Sequence, residues 1–159
     1  MKSIKKLIAV SGGFDPIHVG HVRMILEAAH HGDVIVFANS DEWLLRKKGY
    51  CFMPFDQRSE IIESIRGVIG VVKADDADDT VCETLKTIRP DIFANGGDRK
   101  GNNTPEVVLC EELGIELMWN VGGGKIQSSS TLVEKASKVE LEIAETVGYA
   151  IGYEDGTQK

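Results

Sequence analysis

The sequence predicts an α/β fold: a doubly wound, five-stranded parallel sheet. Three observations predict it. Short runs such as Val34-Ile35-Val36-Phe37-Ala38 are apolar throughout, as in strands buried on both faces. Helical patterns of about ten residues separate these runs. Glycines close several of the runs, as at Ser11-Gly12-Gly13 and Gly96-Gly97. The length of 159 residues suits one domain, read as residues 1–150 with a polar tail over 151–159.

The elements follow in order. Leu7 to Val10 is the first strand, and the glycines after Ser11 end it. A helix is predicted from Val19 to His31, with Val22, Ile25, Leu26 and Ala29 on one face and Gly32 as its stop. Val34 to Ala38 is the second strand, followed by polar residues. Pro54 suits the first turn of a helix to Arg66, with Ile61, Ile62 and Ile65 as its apolar stripe. Val68 to Val72 is the third strand. Thr80 to Ile88 is helical and stops before Pro90. Asp91 to Ala94 is the fourth strand. Thr104 caps a helix from Pro105 to Leu113, and Gly114 ends it. Ile115 to Val121 is the fifth strand. A last helix opens at Ser128 and extends to about Gly148.

Composition narrows the function. Eighteen Lys+Arg against 25 Asp+Glu give a formal charge of -7, which argues against coating nucleic acid or an anionic membrane. Cys51, Cys82 and Cys110 show no CxxC pair, so free thiols in a reduced cytoplasm are expected. No apolar run approaches the roughly 18 residues of a membrane span. Asp75-Asp76-Ala77-Asp78-Asp79 lacks the glycine and glutamate of a calcium loop and reads as a solvated turn. Trp43 and Trp119 are read as packing residues.

In open parallel sheets, ligands bind beyond the carboxyl ends of the strands. The segment after the first strand reads Ser11-Gly12-Gly13-Phe14-Asp15-Pro16-Ile17-His18-Val19-Gly20-His21. Its glycines allow close backbone approach. The helix behind it aims free N–H groups and a positive dipole end at the same place. His18 and His21, three residues apart, fall on one side of the first helical turn. Imidazoles donate hydrogen bonds to phosphate oxygens, and Gly20 between them leaves a phosphate room. Neither a P-loop nor the dinucleotide GxGxxG pattern is present.

These residues resemble the HxGH signature of the cytidylyltransferase-like nucleotidyltransferases. A second family signature, a serine- or threonine-rich turn before the last helix, is matched by Ile126-Gln127-Ser128-Ser129-Ser130-Thr131. The two signatures lie roughly 110 residues apart. A family-like turn, Asn95-Gly96-Gly97-Asp98, follows the fourth strand. The resemblance extends to about Ala136 and implies a Rossmann-like domain. It leans toward the heptose 1-phosphate adenylyltransferase type, with the glycerol-3-phosphate cytidylyltransferase type as the alternative.

What the resemblance implies is nucleotidyl transfer from ATP or CTP to a small phosphorylated acceptor, with a sugar phosphate favoured. His18, His21 and Lys48 would be catalytic, although Lys47 adjoins Lys48. Gly12, Gly13, Phe14, Gly20, Asn95, Gly96, Gly97, Ser128, Ser129 and Ser130 would bind nucleotide. Asp15, Asp98 and Arg58 would bind substrate, Asp15 by shaping the acceptor pocket and the Asn95-to-Asp98 turn by reading the base or ribose. Mg²⁺ would ride mainly on the triphosphate, with no protein metal site. A homodimer is implied by analogy alone. A nucleotide-binding regulatory domain without catalysis is the rival reading, against which both histidines argue.

Overall fold

A computed structural model of the chain describes residues 4–96 and 104–157. The strands β1 (Leu7–Gly12), β2 (Asp33–Ala38), β3 (Val68–Lys73), β4 (Ile92–Gly96) and β5 (Glu116–Val121) form one parallel sheet. Their order is β3-β2-β1-β4-β5. The helices are α1 (Val19–Ala28), α2 (Asp41–Lys48), α3 (Phe55–Glu63), α4 (Cys82–Ile88), α5 (Pro105–Leu113) and α6 (Ser129–Thr157). This is the expected α/β, Rossmann-like architecture.

Side-chain alternation along the strands divides the core into two layers. Ile8 and Val10 of β1 join Val34, Val36, Ile92 and Ala94, covered by Ile25 and Ala28 of α1 and Ile62 of α3. Ala9 faces the other way with Phe37 and Phe93, under Leu85 of α4 and Leu109 and Cys110 of α5. Both faces of β1, β2 and β4 are therefore buried, which explains their uninterrupted apolar runs. The chain winds outward from β1 to β3 and returns to place β4 beside β1. That reversal opens a crevice at the carboxyl ends of β1 and β4.

Several elements differ from expectation. α2 occupies the stretch read only as polar. Ser40 caps it through Trp43 N–H, acidic residues fill its first turn, Arg46, Lys47 and Lys48 fill its last, and Gly49 ends it at φ +80°. Only Leu44 of this helix is buried, so no apolar stripe advertised it. Pro54 is the N-cap of α3 rather than its first turn, and α1 stops at Ala28. The Asp75–Asp79 turn is not wholly solvated. Asp76 is buried and accepts from Asn39 Nδ2, Ser40 N and Ser40 Oγ at 3.0, 2.8 and 2.6 Å. The expected tail from residue 151 continues α6 as helix to Thr157. Thr104, Pro105 and Gly114 delimit α5 as expected. The described cysteines are free thiols. No helix among the described residues is long and apolar enough to cross a membrane.

Candidate functional site

The crevice is a cleft of about 280 Å³ between the start of α1, the end of α2 and the segment joining β5 to α6. Its lining brings together His18, Gly20, His21, Lys48, Gly96 and Ser128 to Ser130. Gly97 and Asp98 lie outside the described residues.

His18 is the N-cap of α1, and its Nδ1 accepts the Gly20 N–H at 3.1 Å. His21 Nδ1 reaches back to accept the His18 N–H at 3.2 Å. The two imidazoles thus form a reciprocal capping box, a task usually left to Ser/Thr and Glu. Their rings stack with centroids 3.8 Å apart, and the Phe14 ring abuts His21 edge-on at 4.9 Å. Because each Nδ1 accepts a backbone N–H, each neutral ring carries its proton on Nε2. Two N–H donors on stacked rings are thereby fixed at the cleft wall.

Burial, followed by the charges of Lys125 and Lys48, lowers the His18 pKa. Burial, His18 and Lys48 push His21 down to about 3. The histidines are therefore neutral donors, and positive charge in the cleft belongs to the lysines and the helix starts. An unfolded imidazole takes a proton near 6.5, whereas folded His21 resists until about 3. Between those values the unfolded chain binds more protons. The His21 contribution to stability is thus full above pH 6.5 and is lost as pH falls toward 3. In an NMR titration, the His21 ring resonances should hold their neutral positions from about pH 8 down to about pH 5. A His21 midpoint near the ordinary value would contradict this geometry.

Gly20 also makes room for these rings. A Cβ there would stand 2.9 Å from His18 Cε1. Any side chain at position 20 would displace the imidazole that caps the helix.

Lys48 is the last residue of α2 rather than part of a loop, and it lines the cleft. Burial lowers its pKa, against an opposing pull from Asp15. Lys47 turns away to pair with Asp79 at 3.3 Å. Geometry thus separates the two adjacent lysines.

Gly12, Gly13, Phe14, Asp15, Asn95 and Arg58 are not in the lining. Gly12 backs the Phe14 ring, where a Cβ would lie 3.3 Å from Phe14 Cζ. Asn95 is buried, with its Nδ2 3.4 Å from the Phe93 carbonyl. Asp15 is fully buried, and its two oxygens accept Phe52 N–H and Met53 N–H at 2.6 Å each. Arg58 is completely buried, behind the cleft lining. Its Nε donates to Met53 O, its Nη1 to Gly13 O and Asn39 O (2.8 Å each), and its Nη2 to Asp41 at 2.7 Å. A buried guanidinium must place its protons on acceptors, and here the acceptors belong to the loops around the cleft. Arg58 is therefore a positioning residue: it ties the HxGH loop to the loops flanking α2.

The serines divide in role. Ser128 caps α6 by accepting Thr131 N–H at 3.0 Å. Ser129 is buried and donates to Pro16 O at 2.8 Å, locking α6 to the HxGH loop. Ser130 is exposed in the lining.

The sequence reading missed Met24 and the wall from Val121 to Gln127, Lys125 included. The signal was present in Gly122-Gly123-Gly124-Lys125 immediately before the serine run. Gly122 has φ +88°, and a Cβ there would meet the Met24 backbone N at 3.0 Å. Only glycine lets β5 exit this close to α1. Glu27 of α1 accepts the Gly122 N–H and holds that exit.

Among the described residues, no group of three or more His, Cys, Asp or Glu could hold a metal ion. The histidines and lysines of the cleft are hydrogen-bond donors, the chemistry that an anion calls for.

Comparison with known proteins agrees with this geometry. The cytidylyltransferase-like family model matches residues 9–134. The bifunctional protein HldE of Syntrophotalea carbinolica is 33% identical over 82% of this chain. The chain spans only 27% of that relative's length. The FAD synthase of Ferroglobus placidus is 34% identical over 69% of this chain and 68% of its own length. In fold, the chain resembles the lipopolysaccharide core biosynthesis protein of Thermoplasma volcanium. The TM-score is 0.59 at 22% identity, over 72% of this chain and 93% of the other. Motif, sheet order and family match converge: the chain belongs to the cytidylyltransferase-like family of nucleotidyltransferases.

Proposed function

We propose that the cleft transfers a nucleoside monophosphate from ATP or CTP to a small phosphorylated acceptor, a sugar phosphate being favoured, with release of pyrophosphate. The observation that carries this reading is the pair of neutral imidazoles, each with Nε2–H as its remaining donor, across from Lys48 and the start of α6.

An acceptor phosphate oxygen is already an anion, so attack on the α-phosphorus needs no strong general base. The residues instead position the reactants and stabilise developing charge. His18 and His21 donate to α- and β-phosphate oxygens. Donors on rigid, capped rings require no reorganisation as the transition state forms. Lys48 bridges nucleotide and acceptor, and burial keeps its ammonium poorly hydrated and strongly attractive to phosphate. The N–H groups opening α6 receive the departing pyrophosphate. Mg²⁺ carried on the triphosphate would neutralise part of its charge.

The sugar-phosphate preference draws support from the HldE relatives, and the FAD synthase relative makes flavin mononucleotide the second acceptor to try. A pyrophosphate-release panel should test ATP and CTP against heptose 1-phosphate, glycerol 3-phosphate, choline phosphate and flavin mononucleotide. Release is expected with one nucleotide and one acceptor well above the rest.

The adjacent lysines give a sharper prediction. Lys48→Ala should lower turnover by about a hundredfold, the scale of a lost transition-state donor. Lys47→Ala, which removes a surface ion pair, should change turnover by less than about twofold. Steady-state kinetics of both variants check this, and the reverse ranking contradicts the assignment.

A further inference from the structure

α2 carries Lys48 to the cleft, yet the core does little to hold this helix. Leu44 alone of its residues is buried. One apolar contact fixes a point on a helix about 12 Å long and leaves its roll about its own axis open. Roll matters here because Lys47 and Lys48 are neighbours in the last turn, about 100° apart around the axis. A roll of that size would trade one ammonium for the other at the cleft wall.

Polar contacts from the turn after β3 set the roll. The turn is itself fixed: Ala74 N–H donates to Ala38 O at 2.8 Å, and Asp75 N–H donates to Thr84 Oγ1 of α4 at 2.9 Å. Asp76 then grips the start of α2. Its buried carboxylate accepts both the N–H and the hydroxyl of Ser40, the N-cap, and the side-chain amide of Asn39. Toward the other end of α2, Arg46 Nη2 donates to the Asp76 carbonyl at 2.9 Å and to Asp79 at 3.1 Å. Lys47 pairs with Asp79 as well. The side chains of Arg46, Lys47 and Asp79 are each nearly half exposed, and exposed ion pairs hold a helix weakly. The buried carboxylate of Asp76, with three donors in place, is the firm part of the grip.

We propose that Asp76 is a positioning residue for Lys48: through Ser40 it sets the roll of α2 that turns Lys48 into the cleft and Lys47 away. The kinetic consequence rests on the transfer reaction proposed above, whereas the consequence for the Lys48 side chain does not.

A double-mutant cycle on pyrophosphate release tests the kinetic consequence. Asp76→Ala should lower kcat about tenfold in the wild-type background. In the Lys48→Ala background it should lower kcat by less than about twofold, because the group it positions is already gone. A tenfold drop in both backgrounds makes Asp76 a general support of the fold and overturns the proposal. So does a drop below about twofold in the wild-type background. NMR titration of the protein with isotope-labelled lysine tests the side chain directly. Wild-type Lys48 should titrate below the ordinary 10.5, because burial outweighs the pull of Asp15. In Asp76→Ala it should move back toward 10.5 as the ammonium gains water. Loss of the Asp76 charge by itself would move Lys48 the other way, so the direction is diagnostic. A Lys48 midpoint that stays in place or falls overturns the proposal, even when turnover drops. If no pair of nucleotide and acceptor yields pyrophosphate, the transfer reading fails and this titration still decides the role of Asp76. Asp76→Asn keeps the shape of the side chain with one acceptor oxygen instead of two, which guards against loss of fold in the alanine variant. It should lower kcat about threefold and shift Lys48 in the same direction. No movement of Lys48 in that variant also overturns the proposal.

Discussion

His18→Ala is expected to lower pyrophosphate release by at least about a hundredfold, the usual scale for one lost oxyanion-type donor. The substitution removes two things. One is the Nε2–H of a ring that lines the cleft, and the other is the Nδ1 that accepts Gly20 N–H. The second loss frays the first turn of α1 and disturbs the stacked His21 ring, so alanine alone conflates chemistry with capping. His18→Asn separates them. Asparagine is a good N-cap and restores an acceptor for the Gly20 N–H, but its shorter side chain does not reproduce the Nε2–H of the imidazole. The Asn variant should therefore keep near-wild-type thermal stability while its turnover stays close to that of the Ala variant. If stability and turnover recover together, the imidazole serves as a cap and not as a phosphate donor.

Arg58→Ala should be the most destabilising single substitution tested, costing about 3–5 kcal/mol, the scale for deleting a fully buried side chain together with its hydrogen bonds. Four contacts are lost at once, to Met53 O, Gly13 O, Asn39 O and Asp41. Three carbonyls lose their donor, the buried one of Asn39 among them, and a cavity replaces a fully buried side chain. Arg58→Lys should recover little of this. A single ammonium cannot reproduce donors from Nε, Nη1 and Nη2 that diverge toward three loops. Urea denaturation of both variants gives the test. A loss below about 1 kcal/mol for Arg58→Ala would show that the loops hold together without the guanidinium.

Much of this molecule was legible in its sequence for reasons that can be named. The strands β1, β2 and β4 carried uninterrupted apolar runs because both of their faces are covered. The ends of α5 were legible because Thr104 and Gly114 are chemically committed to them. The HxGH segment stood out because two histidines and a glycine fall together at one helix start behind a strand-closing pair of glycines. α2 was missed because it buries only Leu44, although its cap and charge distribution marked both ends. The burial of Arg58 was not legible because no local pattern reveals that an arginine amid polar neighbours is buried. Its acceptors at Gly13 and Asn39 are 45 and 19 residues away in sequence. The wall around Lys125 was overlooked for a related reason. Its place in the cleft depends on β5 exiting beside Met24, a contact between distant segments. Long-range pairings of this kind leave little trace in local periodicity.

The acidic charge of -7 is compatible with phosphate chemistry because the attraction is local. It is concentrated in Lys48, Lys125 and the starts of α1 and α6, all at one end of the sheet. The measurement that tests the central claim most directly is phosphorus NMR of the protein with nucleotide, Mg²⁺ and a phosphorylated acceptor. The account predicts that pyrophosphate and a new nucleotidyl diphosphate bridge appear in equal amounts, and only when nucleotide and acceptor are both present. Nucleotide that binds in the cleft but stays intact with every acceptor in the panel would contradict it, leaving a binding domain rather than a transferase.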